Sequence, residues 1–150
     1  MATLRDRPYV QFNFLVYLGD GNETQPQGGF QEMSNVGMEV TVAEYRVGNA
    51  RENSVQKITG LNKATDVTMK RGVIGSLNLY KWLDQIRNGD QNAFRTVTVT
   101  LQNEDHTDAV MTWKLLRARI IKSTFGPFNA KGTDVAMEEL VLAYERLEMA

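Results

Sequence analysis

Residues 94–102 read Phe94-Arg95-Thr96-Val97-Thr98-Val99-Thr100-Leu101-Gln102, and this run constrains the fold more than any other. Val97, Val99 and Leu101 alternate strictly with Thr96, Thr98 and Thr100, a period of two that no helix can use. Such a run is a strand with one apolar face on a core and one hydroxyl-bearing face towards water. A strand cannot stand alone, because its backbone donors and acceptors need neighbours. The chain that follows supplies one. Asn103-Glu104-Asp105-His106-Thr107-Asp108 has turn chemistry, and residues 110–122 read as a return strand whose alternation slips near Leu115-Leu116. That slip predicts a bend or bulge.

Other segments extend the sheet. Residues 9–18 open with Val10, Phe12, Phe14, Val16 and Leu18 on one face and Gln11 and Asn13 on the other. Gly19-Asp20-Gly21-Asn22 ends that run, a polar loop reaches Gly28-Gly29, and residues 30–36 read as a second short strand. Residues 66–71 make another, ended by Gly72. One helix follows at about 75–88, with Ser76 as N-cap, a stripe of Leu79, Trp82, Leu83 and Ile86, Arg87 in the last turn and Gly89 just past it. Residues 133–147 suit a helix by propensity, but their β-rich neighbours and Gly132 favour a long closing strand. Residues 43–60 show no convincing apolar face; they read either as a mobile surface loop or as a protruding hairpin turned at Gly48-Asn49. The expected fold is mainly β. It is an antiparallel sandwich or barrel of two packed sheets, about six strands, with one flanking helix and the extended loop or hairpin at about 43–60. A length of 150 residues with 42% hydrophobic side chains suits a single domain over 1–150.

Chemistry has few footholds. With no cysteine there is no disulfide, thiolate metal site or cysteine nucleophile. The single histidine, His106, lies in a polar turn with no nucleophile motif beside it. Its neighbours Glu104, Asp105 and Asp108 lack the spacing of a calcium loop, and no second histidine completes a zinc pair. Gly19-Asp20-Gly21 is followed by a loop and a strand where a phosphate-capping helix would be needed. Glu138 and Glu139 are adjacent, so on a strand they face opposite ways and cannot share a substrate. Lys70-Arg71 and Arg117, Arg119 and Lys122 are basic but form no continuous stripe, which suits ordinary ion pairs. Seventeen Lys and Arg against eighteen Asp and Glu give a net charge of −1, with no global pull towards nucleic acid or an anionic membrane. No catalytic, cofactor-binding or metal-ligating residue is nominated. The opening residues lack the apolar stretch of a signal peptide and no run approaches the ~20 apolar residues of a spanning helix. Cytoplasmic synthesis without membrane anchoring is expected.

Several segments in order resemble the tail tube protein family of contractile-tailed phages and extracellular contractile injection systems. They are Phe12-Asn13-Phe14-Leu15-Val16, then Gly29-Phe30-Gln31-Glu32-Met33-Ser34-Asn35-Val36, where Asn35 replaces a common glycine, then Glu44-Tyr45-Arg46-Val47-Gly48-Asn49. Lys57-Ile58-Thr59-Gly60-Leu61, Asp66-Val67-Thr68-Met69-Lys70-Arg71-Gly72, the helix with Trp82, and the end from Gly126-Pro127-Phe128-Asn129-Ala130-Lys131-Gly132 through Val135-Ala136-Met137-Glu138 complete the series.

The resemblance implies six-membered rings in which sheets of neighbouring copies join around a lumen, stacked into a tube that a sheath drives through a target envelope. Implied partners are further copies of the chain, the surrounding sheath, baseplate and tube-cap proteins, and a protein or DNA cargo in the lumen. The implied location is a phage tail or an extracellular or cell-associated injection particle. On this reading Glu44, Arg46, Arg51, Glu52 and Lys57 are candidate inter-ring contacts, and Thr96, Thr98 and Thr100 are candidate lumen-facing residues. A tube-capping or tube-initiating ring protein is the first alternative; a small-ligand binding β-barrel is the second.

Overall fold

The computed structural model describes residues 2–19, 29–73, 75 and 77–150. The expected turn beyond Gly19, the polar loop to Gly28 and the Ser76 cap lie outside the described residues. Nine strands and one helix occur among the described residues: β1 (Phe14–Tyr17), β2 (Phe30–Met33), β3 (Met38–Tyr45), β4 (Gln56–Ala64), β5 (Val67–Gly72), α1 (Asn78–Arg87), β6 (Arg95–Gln102), β7 (Ala109–Phe125), β8 (Met137–Ala143) and β9 (Arg146–Met149). The mainly β, antiparallel architecture with one helix is as the alternation predicts.

β7 organises the molecule. Its first half pairs with β6 on one side and β9 on the other, and β6 pairs onward with β1. Its second half leaves that sheet and pairs with β8, which continues through β5 to β2. The switch occurs where the sequence alternation slips. Val97 faces Leu115 and Arg95 faces Ala118, so two steps on β6 oppose three on β7, and Arg117 takes a positive φ of 53°. The extra residue is a bulge that bends the strand. One strand thereby serves two sheets.

The core lies between the sheets. It gathers Val16, Val97, Val99, Leu115 and Ile120 with Val67, Met69, Leu140 and Leu142. Helix α1 closes one side by burying Leu79 and Trp82, with Leu83 and Ile86 packed alongside, as the helical stripe predicts. The Trp82 ring is fully buried, and its indole N–H donates to the Ala93 carbonyl at 2.8 Å, which satisfies its polar atom.

Four expectations change. The opening strand begins at Phe14 and not at Tyr9, because residues 2–13 wrap round the β6–β7 turn. The Thr3 N–H donates to the Val110 carbonyl on one flank, and the Gln102 N–H donates to the Asn13 carbonyl on the other. Phe12 is therefore 70% exposed and Asn13 is buried, the reverse of the alternation. The C-terminal segment is strand as favoured, but it forms two strands, β8 and β9, with Tyr144 and Glu145 between them as the chain passes from the second sheet to the first. The protrusion is a hairpin, and it is longer than 43–60: β3 and β4 pair from Met38↔Ala64 to Tyr45↔Gln56. Finally, nine strands among the described residues replace six: β3 and β4 come from the segment read as loop or hairpin, and the short β9 separates from β8.

Candidate assembly surfaces

The β3–β4 hairpin is the largest feature that the rest of the fold does not use. Every residue from 38 to 63 is exposed. Residues directly opposite in an antiparallel pair share a face, so Met38, Val40, Val42 and Glu44 lie with Ala64, Asn62, Thr59 and Lys57 on one face. Ala43 and Tyr45 lie with Ile58 and Gln56 on the other. Both faces carry apolar side chains open to solvent, among them Val40, Val42, Tyr45 and Ile58. A two-stranded ribbon is marginal in water by itself, and this one has a bulge besides. Val40 pairs with Asn62 and Val42 with Thr59, leaving Gly60 and Leu61 against Thr41. A Cβ at residue 60 would sit 2.8 Å from the Thr41 hydroxyl oxygen and 3.2 Å from its carbonyl oxygen, so any larger residue there forces Thr41 to shift.

The five charged residues predicted for inter-ring contact all lie on this hairpin. Glu44 stands directly across from Lys57. Arg46 turns back on its own tip, donating from Nε to the Glu52 carbonyl at 3.3 Å and from Nη2 to the Ala50 carbonyl at 3.2 Å. The Ala50 N–H donates to the Val47 carbonyl, so the tip turns at Gly48-Asn49 as read from the sequence. Glu52 accepts from the Ser54 hydroxyl. The residues missed from sequence are Met38, Val40 and Val42. The period-two run Met38-Glu39-Val40-Thr41-Val42 was the available signal.

The threonine row divides. Thr96 is exposed and Thr98 half-buried, whereas Thr100, between Leu15 and Thr112, is only 8% exposed. Across four strands the row through Thr98 is Tyr17, Thr98, Lys114 and Glu148. Tyr17, Thr96, Thr98 and Lys114 line a shallow concavity on this outer face.

The polar turn holds the N-terminal segment. Arg5 donates to both Glu104 carboxylate oxygens at 2.6 and 2.9 Å, also donates to the Arg7 and Pro8 carbonyls, and lies over the Tyr9 ring. These bonds hold the Glu104 carboxyl down to about 2, the Arg5 bidentate pair being the main cause. Glu104 is thus engaged by a guanidinium, and His106 sits beside it in an exposed turn with φ of 58°. Of the basic residues read as ion-pair formers, three arginines make such pairs. Arg71 is buried against Glu138, and Arg117 and Arg119 both reach Glu145.

A rigid β body whose largest unpaired element is an exposed hairpin with two apolar faces is the design of a subunit that completes itself with other chains. The T4-like virus tail tube protein gp19 family matches residues 10–148, and the chain belongs to that family. Nothing among curated proteins matches. Among solved structures, the chain is similar to one from the sheath-tube complex of the extracellular contractile injection system PVC in the extended state, at 27% identity, TM-score 0.82, over 95% of this chain and 91% of that one. A chain from the PVC sheath/tube terminator in the extended state is 27% identical with TM-score 0.83, covering 97% and 98% of the two chains. The tube terminating cap of the anti-feeding prophage shares the fold, at 24% identity and TM-score 0.83 over 100% and 95%.

Proposed function

We propose that this chain is the repeating subunit of the hollow inner tube of a contractile injection machine, forming six-membered rings that stack, and that its role is structural and not catalytic. The observation that carries the reading is the β3–β4 hairpin. It leaves apolar side chains on both faces exposed among the described residues. Covering them with other copies supplies the burial that makes the ribbon stable. Apolar contact through Met38, Val40 and Val42 on one face and Tyr45 and Ile58 on the other thus supplies the affinity. Arg51, Glu52 and the Glu44–Lys57 pair set register, since exposed ion pairs contribute little each but gain weight by repetition. Thr96 and Thr98, with Lys114 in the same concavity, are the lumen-facing residues of this reading; Thr100 is too buried to serve. Sheath, baseplate and cap proteins are the surrounding partners, and protein or DNA is the cargo.

Electron microscopy of the purified protein tests the assembly directly. Hollow rings and stacked tubes of uniform diameter are expected. Single rings that never stack at high concentration would favour the capping role, which the likeness to a terminating cap keeps in view. A strictly monomeric particle would overturn the proposal and revive a ligand-binding barrel.

A further inference from the structure

We infer that Tyr144 is a positioning residue that aims the β3–β4 hairpin relative to the body of the subunit. Every side chain from 38 to 63 is exposed, so the hairpin's direction is set where it leaves the body, at Gly37 on the way out and Thr65 on the way back. Val36 and Ala64 pack against the core just inside that root. The backbone of Gly37 carries four hydrogen bonds. Its carbonyl accepts from the Thr65 N–H at 3.1 Å, from the Thr65 hydroxyl at 3.1 Å and from the Tyr144 hydroxyl at 2.9 Å. Its N–H donates to the same Tyr144 oxygen at 3.1 Å. The Thr65 bonds join the two strands of the hairpin to each other. Of the four bonds at Gly37, the two to Tyr144 are the ones that tie the root by hydrogen bonds to a different part of the fold, beside the packing of Val36 and Ala64.

Tyr144 suits this role. It is 7% exposed, with its ring in the hydrophobic core, and it stands between β8 and β9 where the chain crosses between sheets. A hydroxyl on a ring fixed by packing has little freedom, so the two bonds it makes to Gly37 transmit the orientation of the core to the hairpin. A hairpin held at one angle is preorganised for the next copy, whereas a swinging one must be ordered on contact. This inference rests on the hairpin being the contact between copies.

Tyr144→Phe isolates the role, because it keeps the buried ring and removes both bonds. The chain has no cysteine, so Asn53→Cys with His106→Cys gives unique spin-label sites on the hairpin tip and the body, tube yield being read on the cysteine-free protein. The expected result is a narrow label distance in the parent and a broad one in Tyr144→Phe. Amide exchange should rise about tenfold over residues 38–64 as the two bonds to Gly37 are lost, with core strand β6 unchanged. Tube yield should drop at subunit concentrations where the parent polymerises. A narrow distance and parent exchange in Tyr144→Phe would overturn the inference. Should the parent itself form no tubes, the assembly reading fails, while the distance measurement still decides what Tyr144 does.

Discussion

Arg71 and Glu138 meet across β5 and β8, and the register that pairs them puts both on the core face. Arg71 also donates to the Asn78 side-chain oxygen at 2.8 Å, which in turn accepts from the Leu79 N–H at the start of α1. Phe30 from β2 lies beside the guanidinium. One buried cation therefore joins three strands and the helix. Glu138→Leu strands that charge and should cost about 3–5 kcal/mol in chemical unfolding. The double change Arg71→Met with Glu138→Leu should recover most of it; a double variant as unstable as the single would mean that packing, and not the ion pair, is at stake. At the surface, the Glu104 carboxyl is held at about 2 by Arg5, below its unfolded value. The stabilisation is complete above the ordinary carboxylate range and lost as pH falls from ~4.5 towards 2. Protection of the amides of residues 2–9, taken relative to their intrinsic exchange at each pH, should fall over that window, and Glu104→Gln should show the lower protection already at neutral pH.

The two elements that matter most behave oppositely. Helix α1 is held by burial, so Trp82→Ala should cost about 3–5 kcal/mol and lower the melting temperature of the whole domain. Residues 38–63 of the hairpin are all exposed, so Val42→Glu should leave melting within about 3 °C of the parent while abolishing stacking in micrographs. Arg46→Glu is a poor probe of contact between rings, because Arg46 already braces two carbonyls of the tip. Arg51→Glu is cleaner; it should shorten tubes but spare rings, and tubes of parent length would remove Arg51 from the interface.

At the scale of the whole molecule, the outer face of the first sheet decides what a lumen would present. Thr98→Glu, between Tyr17 and Lys114, should preserve the fold and change retention of charged cargo in assembled tubes. Unfolding of that variant would show that residue 98 needs its half-buried place for stability.

The alternation of residues 94–102, the slip at Leu115-Leu116 and the helical stripe around Trp82 were legible because each is a local periodicity, and solvent acts on each residue separately. They determined a mainly β domain with one helix, and the ordered motifs pointed to the family. What they could not contain is which edges meet. β7 belongs to two sheets because its bulge turns it, residues 2–13 abandon their alternation because the β6–β7 turn takes their backbone bonds, and Thr100 is buried by strands far away in sequence. Glu138 and Glu139 could be placed on opposite faces from the sequence, but only the register of β5 and β8 sets Glu138 against Arg71. The hairpin shows the same limit most clearly: its apolar residues could be read along the chain, but their exposure, and the Tyr144 hydroxyl at its root, exist only in three dimensions. Exposure is a property of the packed whole, and it turned an uncertain loop into a candidate surface for assembly.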